Sequence, residues 1–380
     1  MAHVLRLGAR DRVLVFAPHP DDETIAAGGL LQQARARRAA VRVVFATDGD
    51  NNPWAQRAVE HRWRIGETDR ARFGARRRRE ALAALARLGI GARDAEFLGY
   101  HDQGLTVLLM SGGDAPLARL AQCITAFRPT MIVAPSPADL HPDHSALAVL
   151  VDFALAWLSP HGPAVRTIHY VIHDRRSEVG AATRPTVRAP LVVPLGHRER
   201  VRKRQAMFAH GTQLVLRRRA LLTRAGDPET FVPGAEASDV RRDGARRADP
   251  TDADGRVWLS LRRSVRLGAC GATALLVAFD GPHARRLQGR LGHRSGVVRL
   301  RDVAGHGDDV PVVVRPAAHR VELGIPVTLF AGAQRAYVKL ERRFGFFDEA
   351  GWHPLAFVAE RARGAGRATR RTVETAVARP

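Results

Sequence analysis

The chain has 380 residues, more than one average domain of about 100–200 residues, and its 45% hydrophobic and 26% charged content excludes a fibrous or wholly disordered protein. Lys203 and Lys339 are its only lysines, so 58 of the 60 basic residues are arginine, and the net charge of +22 favours anionic partners, nucleic acid first among them. The arginines run the whole length, with local runs at Arg76–Arg79 and Arg217–Arg219 but no single basic stripe with interleaved aromatics; this weighs against nucleic acid, and a compositional bias of the gene explains it as well.

From Arg12 to about His173, short β-branched runs alternate with longer helical stretches, the pattern of parallel βαβ units. Val13 to Phe16 reads as a first strand, Thr24 to Arg38 as its helix and Val41 to Ala46 as a second strand. A long insertion rich in Asn, Trp and Arg follows and ends near Gly74, at the strand end where open α/β sheets place ligands. Arg76 to Leu88 is a helix closed by Gly89, Glu96 to Leu98 a short strand, Pro116 to Phe127 a helix, and Met131 to Ala134 a buried strand. Ser145 to Trp157 is helical, Thr167 to Ile172 is a strand, and His197 to His210 is a helix.

Near Gly226 the texture changes to frequent Gly, Pro and Asp. Val257 to Leu261, Thr273 to Phe279, Val297 to Leu300, Val310 to Val314 and Tyr337 to Leu340 suggest a β-rich module. The expected organisation is a doubly wound, mostly parallel Rossmann-like α/β domain over residues 1–225, a smaller β-rich accessory module over 226–360, and a disordered tail over 361–380. Cys123 and Cys270 are too few for a disulfide framework or a thiolate metal site, which fits a cytoplasmic setting. The N-terminal stretch has no apolar core of the secretory type, and no run approaches the roughly 18 apolar residues of a membrane span.

Two clusters carry chemistry. Pro18-His19-Pro20-Asp21-Asp22-Glu23 directly follows the first strand, where three carboxylates repel one another unless a cation relieves them. A helix start explains the acids, which complement the helix dipole, but not His19 or the flanking prolines. His141-Pro142-Asp143-His144 follows the buried strand that ends near Ala134, so both clusters can face one crevice at the same end of one sheet. The turn after the first strand lacks the Gly-x-Gly-x-x-Gly fingerprint, and its acids would repel a pyrophosphate, which excludes a dinucleotide site.

HPDDE with the downstream HPDH resembles the PIG-L or LmbE-like family of zinc deacetylases, and so do Thr47-Asp48-Gly49, Arg77 with Glu80, Leu98 to Asp102 and the segment Lys203 to Gln213. The likeness spans about residues 12 to 215, and position 101 is His where many relatives carry proline. It implies a Zn2+ ion, or another divalent metal, on His19, Asp22 and His144 with a position open for water. It further implies Asp21 as general base, His141 protonated beside the amide oxygen, and Asp143 holding a histidine from behind. The substrate so implied is an N-acetylglucosamine-type sugar, anionic or lipid-linked forms included. Rival readings are an amidase for another N-acyl or mycothiol-like conjugate, and a non-enzymatic, metal-stabilised module binding anionic glycan or nucleic acid. Asn51, Asn52, Trp54 and Arg57 of the insertion, with Arg77, are the expected substrate contacts, an aromatic for a sugar ring and amides for its hydroxyls.

Overall fold

The fold is that of a computed structural model, which describes residues 2–158, 165–174, 190–226, 228–234, 254–262, 271–281, 284–303, 305, 307–317, 320–342 and 346–355. The tail over 361–380 and Cys270 lie outside the described residues. The first sheet contains β1 (His3–Val4), β2 (Arg12–Ala17), β3 (Ala40–Thr47), β4 (Ala95–Tyr100), β5 (Met131–Pro135), β6 (Arg166–Tyr170), β7 (Leu191–Val193) and β8 (Glu229–Pro233) in the order β1-β7-β8-β6-β5-β2-β3-β4. All its pairings are parallel except those that β8 makes with β6 and β7.

The continuous apolar run of β2 follows from burial on both faces. Val13, Val15 and Ala17 join one core cluster, while Leu14 and Phe16 join the other. Helices α1 (Asp22–Ala36) and α3 (Glu67–Arg87), with the helix His197–Ala209, cover the first face. Helices α4 (Leu105–Ser111), α5 (Ala115–Phe127) and α6 (Pro142–Leu158) cover the second.

The chain runs from β2 outward to β3 and β4, then returns to β5 on the other side of β2. The loops after β2 and β5 therefore diverge at a topological switch point, where a crevice opens at the strand ends. HPDDE spans the first loop and the start of α1, and HPDH the end of the second loop and the start of α6.

Two expectations change. The insertion over residues 50–74 is largely helical: α2 (Pro53–Glu60) starts under an Asn52 cap whose Oδ1 accepts from the Ala55 amide at 3.2 Å, and α3 begins at Glu67. Polar groups tie the two helices together, with Arg72 reaching Glu60 at 2.6 Å and Asp69 at 2.8 Å, and with 8 residues α2 is too short for its apolar face to stand out as a helix in sequence. Secondly, β8 lies beyond the break expected at 226 yet belongs to the first sheet.

Glu229 at the start of β8 is almost fully buried and fastens that strand to α1. It accepts from the amides of Gly29 at 2.6 Å and Leu30 at 2.8 Å, and from Lys203 Nζ at 2.7 Å. Gly29 has no room for a Cβ, which would collide with Leu195 and crowd Glu229. Gly28 and Gly29 of α1 thus leave room for the buried Lys203–Glu229 ion pair.

The second sheet is antiparallel, formed by β9 (Arg256–Arg262), β10 (Ala272–Phe279), β11 (Ala284–Leu291), β12 (Gly296–Asp302), β13 (Val310–Pro316), β14 (Arg320–Pro326), β15 (Arg335–Arg342) and β16 (His353–Pro354). Its order is β16-β15-β10-β11-β12-β13-β14-β9. β11 and β12 pair only through Leu287 with Asp302 and Gln288 with Arg301, and there the sheet curls around its own core of Leu276, Val338, Leu259 and Val312. Its opposite face, with Leu275, Val277, Phe279 and Tyr337, packs into the cluster of α4 and α6. Arg286 donates to the carbonyls of Leu109 at 3.0 Å and Gly113 at 2.8 Å, and the Tyr337 hydroxyl donates to Asp152 Oδ2 at 2.8 Å. Among the described residues no helix is long and apolar enough to cross a membrane.

Candidate active site

The loop after β2 turns sharply at Asp21, whose φ of 133° is a conformation L residues rarely adopt. Arg77 from α3 holds that turn. Its guanidinium donates to the Pro20 carbonyl at 2.6 Å, the Gly49 carbonyl at 2.8 Å and Asp21 Oδ1 at 3.3 Å. Gly49, at φ 62°, must be glycine, since a Cβ there would coincide with the guanidinium. Arg77 is 3% exposed. Its two terminal nitrogens are thus turned to the loop's carbonyls and to Asp21, while its buried Nε has no hydrogen-bond partner, so the contact with substrate expected from sequence is replaced here by contacts that support the turn.

Asp22 stands between two imidazoles. Its Oδ2 is 3.2 Å from His19 Nδ1 and 3.2 Å from His144 Nε2, and it also accepts from the His19 amide at 2.9 Å. The far nitrogen of each ring meets a carboxylate. His19 Nε2 is 3.1 Å from Asp102 and 3.2 Å from Asp143, and His144 Nδ1 is 3.3 Å from Asp139. Asp143 in turn accepts from the amides of Gln103 at 2.7 Å and Leu105 at 3.0 Å. Burial alone would raise the Asp22 carboxyl, but His144 and His19 hold it well below the usual range. Burial would likewise lower His144, yet Asp22 and Asp139 push it up to about 10.

Two sets among the described residues have the spacing to hold a metal ion: His19, Asp22 and His144, and His19, His141 and Asp143, the ligand atoms of each set lying within 4.8 Å of one another. The first fits better. His144 Nε2 is fully buried and makes no aligned hydrogen bond, as expected of a nitrogen aimed at an ion. Both rings carry a carboxylate behind them, the arrangement that orients metal-ligating histidines. In the second set Asp143 already serves two amides, and His141 Nδ1 accepts from the Asp143 amide at 3.2 Å.

His141 departs from expectation. Burial, with His19, His144 and His173 around it, holds its pKa well below 6.5, which favours the neutral ring over the protonated one that the resemblance implied. The bond it accepts at Nδ1 leaves the proton on Nε2. For Asp21, burial pushes the carboxyl up to about 6 against the pull of the Arg77 guanidinium.

Of the expected substrate contacts, Trp54 and Arg57 lie on α2, with the Arg57 guanidinium 5.0 Å from the Trp54 ring and 4.9 Å from that of Trp63. Trp54 is 62% exposed. Asn51 donates its amide to Asp102 at 2.9 Å, and Asn52 Nδ2 donates to Gln213 at 3.1 Å. A cleft of about 430 Å³ runs instead along α4 and the second sheet, reaching His141, and none of the five expected residues lines it.

Sequence reading gave no role to Asp102, Asp139, His173 or His210. His173 follows β6, at the same end of the sheet as the other loops, with its ring centroid 4.9 Å from that of His144. His210 reaches Glu23 Oε1 at 3.2 Å. The signal for them was positional: each follows a strand or helix that ends at the crevice, Asp139 lies just before His141, and Asp102 ends the segment Leu98 to Asp102.

A family model described as GlcNAc-PI de-N-acetylase (PIG-L) matches residues 14–155, which include both histidine loops. The 1D-myo-inositol 2-acetamido-2-deoxy-alpha-D-glucopyranoside deacetylase of Mycobacterium sp. (strain KMS) is 34% identical over 152 residues, 35% of this chain and 46% of that protein. The protein of the same name from Gordonia bronchialis is 27% identical over 212 residues, 49% of this chain and 70% of that one. The chain thus spans about half the length of the first of these relatives. Among solved structures, N,N'-diacetylchitobiose deacetylase from Pyrococcus horikoshii aligns with a TM-score of 0.46 and 19% identity, over 59% of this chain and 84% of that one. Residues 14–155, which hold the carboxylate-backed histidines and the strained Asp21 turn, are thus the part of the chain that is similar to the PIG-L family.

Proposed function

We propose that the chain is a divalent-metal-dependent N-deacetylase that removes the acetyl group from an N-acetylglucosamine-type sugar. The observation that carries this reading is the convergence of His19, Asp22 and His144, each histidine backed by a carboxylate, beside a buried and strained carboxylate at Asp21. The substrate class follows from what the similar proteins act on, as deacetylases of N-acetylglucosamine-type compounds.

His19 Nδ1, Asp22 Oδ2 and His144 Nε2 would hold the cation, and Zn2+ suits two nitrogens and one oxygen. When bound, it supplies Lewis acidity toward the amide carbonyl and lowers the pKa of water. Asp21 takes a proton from the attacking water, and a carboxyl raised to about 6 is a stronger base than a free aspartate. His141 presents Nε2–H to the carbonyl oxygen and stabilises negative charge there as the C–O bond forms. Asp21, protonated by then, stands ready to return its proton to the nitrogen as the C–N bond breaks, releasing acetate and a free amine. Asp102, Asp143 and Asp139 fix the two ligating rings.

The test is acetate release and mass loss from N-acetylated glycosides with zinc-loaded protein, before and after chelation. Activity that chelation abolishes and zinc restores is the expected result. Full activity in the metal-free protein, or no acetate from any N-acetyl glycoside, would overturn the reading.

A further inference from the structure

Of the chain's 60 basic residues only Lys203 and Lys339 are lysine, and both are buried against a carboxylate, Lys203 on Glu229 and Lys339 on Asp348. A guanidinium spreads its donors in a rigid fork that a closed site with one carboxylate cannot satisfy, whereas a compact ammonium fits. Lys203 joins β8 to α1. Lys339 sits nearer the chemistry.

It lies on the face of β15 that carries Tyr337, the face packed toward α4 and α6. Its Nζ is 2.6 Å from Asp348 Oδ2 and 5.8 Å from the centre of the Trp352 ring. These two residues grip the loop between β5 and α6: the Asp348 amide donates to the Leu140 carbonyl at 2.9 Å, and the Trp352 amide to the Pro137 carbonyl at 2.7 Å. Between them Gly351 lies so close that a Cβ would overlap the Pro137 carbonyl. The gripped stretch contains Asp139 and leads directly into His141. Asp139 stands behind His144 at 3.3 Å and accepts from the His141 amide at 2.9 Å. The same segment brings Phe346 edge-on to His141, ring centroids 4.8 Å apart.

The strand ladder does little to fix this segment, since β16 pairs with β15 only through Tyr337 with Pro354 and Val338 with His353. A buried ion pair adds little net stability, because desolvation offsets most of the attraction, and its best-attested use is to select one register among several. We propose that Lys339 is a positioning residue for the reaction: by holding Asp348 and Trp352 it sets the loop Pro137–Leu140, and through that loop the places of the His141 ring and the Asp139 carboxylate. The second sheet is then part of the catalytic unit. The inference rests on the deacetylase reading for its reaction. Lys339, Asp348 and Trp352 lie outside residues 14–155, so the family match assigns them nothing.

The experiment replaces the pair with apolar groups of similar size, Lys339→Met with Asp348→Leu, an exchange that in buried pairs is often neutral or stabilising. Acetate release from methyl N-acetylglucosaminide is followed with zinc-loaded protein. The ring-proton resonances of His141 are read in metal-free protein labelled on histidine, assigned by their loss in His141→Asn, and need no turnover. A displacement of about 1 Å at a reacting group costs on the order of 10²-fold, so kcat should fall about 10- to 100-fold. KM should stay within about threefold of the wild type, the thermal midpoint should hold, and the His141 resonances should shift as the ring moves against Phe346. Lys339→Met alone carries the same test should the double variant fail to fold, because the Asp348 carboxyl, which burial pushes up to about 6 even beside Lys339, can then take up a proton. Wild-type kcat, or unmoved His141 resonances, in a folded variant would overturn the inference and leave the deacetylase reading standing. Resonances that shift in the variants, with no acetate released by the wild type from any N-acetyl glycoside, would support the clamp on His141 and overturn the deacetylase reading instead.

Discussion

Arg77 offers a quantitative test, because its guanidinium holds the strained turn of the proposed general base without touching the proposed ligand triad. Its two terminal nitrogens serve the Pro20 and Gly49 carbonyls at 2.6 and 2.8 Å. Hydrogen bonds from a charged group are worth about 1.5–3 kcal/mol each, and a lysine, a point charge on a flexible stem, cannot keep both. Arg77→Lys should therefore cost roughly 2–3 kcal/mol of stability. A backbone held at Asp21's φ of 133° stores about 1–3 kcal/mol, which the surroundings must supply. Releasing it would let the carboxylate drift from its productive position, so kcat should fall about 5- to 150-fold, the same 1–3 kcal/mol expressed as a rate. Because a positioning role acts on turnover, KM should stay within about threefold of the wild type, and zinc content should stay at one per chain. Acetate-release kinetics, metal analysis and thermal melts on the same preparations give all three readings. A rise in KM with kcat unchanged would refute the reasoning and return Arg77 to the substrate contacts expected from sequence.

Asp22→Asn should lose zinc and activity together, whereas Asp21→Asn should keep the metal and lose about 10²- to 10⁴-fold in turnover, as for removal of a general base; metal analysis beside kinetics reads the two independently, and retention of zinc by Asp22→Asn with its loss from Asp21→Asn would reverse the assignment. Glu229→Ala strands the Lys203 ammonium in the interior, and breaking such a buried pair costs about 3–5 kcal/mol, so its urea midpoint should fall well below that of Lys203→Met, in which no cation is left buried. A loss within about 1 kcal/mol for Glu229→Ala would show that water reaches the lysine. Burial, with Glu96 beside it, pushes the Cys123 thiol up to about 11, so at pH 8 its alkylation should run at least about a hundredfold slower than that of an exposed cysteine peptide. Site-resolved mass spectrometry checks this, and comparable labelling rates would contradict the packing around α5.

The sheet that carries the site could be read from sequence because its strands are buried on both faces. Runs such as Val13 to Phe16 and Met131 to Ala134 are apolar throughout and bounded by Pro or charged residues. The HPDDE and HPDH loops were legible as chemistry because few structural needs put histidines and acids side by side after a strand. What escaped notice depends on partners distant in sequence. β8 gives only a five-residue strand, and its reason for joining the first sheet is Glu229 meeting Lys203 and α1. The strands at Ala284–Leu291 and Arg320–Pro326 were hidden by arginine and glycine among their apolar positions. Arg77 looked like a ligand-binding arginine because sequence cannot tell a guanidinium turned to solvent from one spent on the Pro20 and Gly49 carbonyls. The neutrality of His141 was equally out of reach, since it follows from the crowding of His19, His144 and His173 in space.

The late position of β8 also bears on how the chain is made. A ribosome delivers the N-terminus first, so both histidine loops emerge well before residues 229–233 exist. Until then β6 keeps an open edge on the side that β8 will fill, and Lys203 has no carboxylate to neutralise it as its helix docks on α1. The nascent domain therefore holds its catalytic loops before it holds its last strand, and the interval is when an arginine-rich, half-finished sheet is most exposed to mispairing with other chains. Slowed synthesis between the helix Gly211–Thr223 and β8 should prolong that interval, and the yield of soluble protein should depend on translation speed there more than within the second sheet.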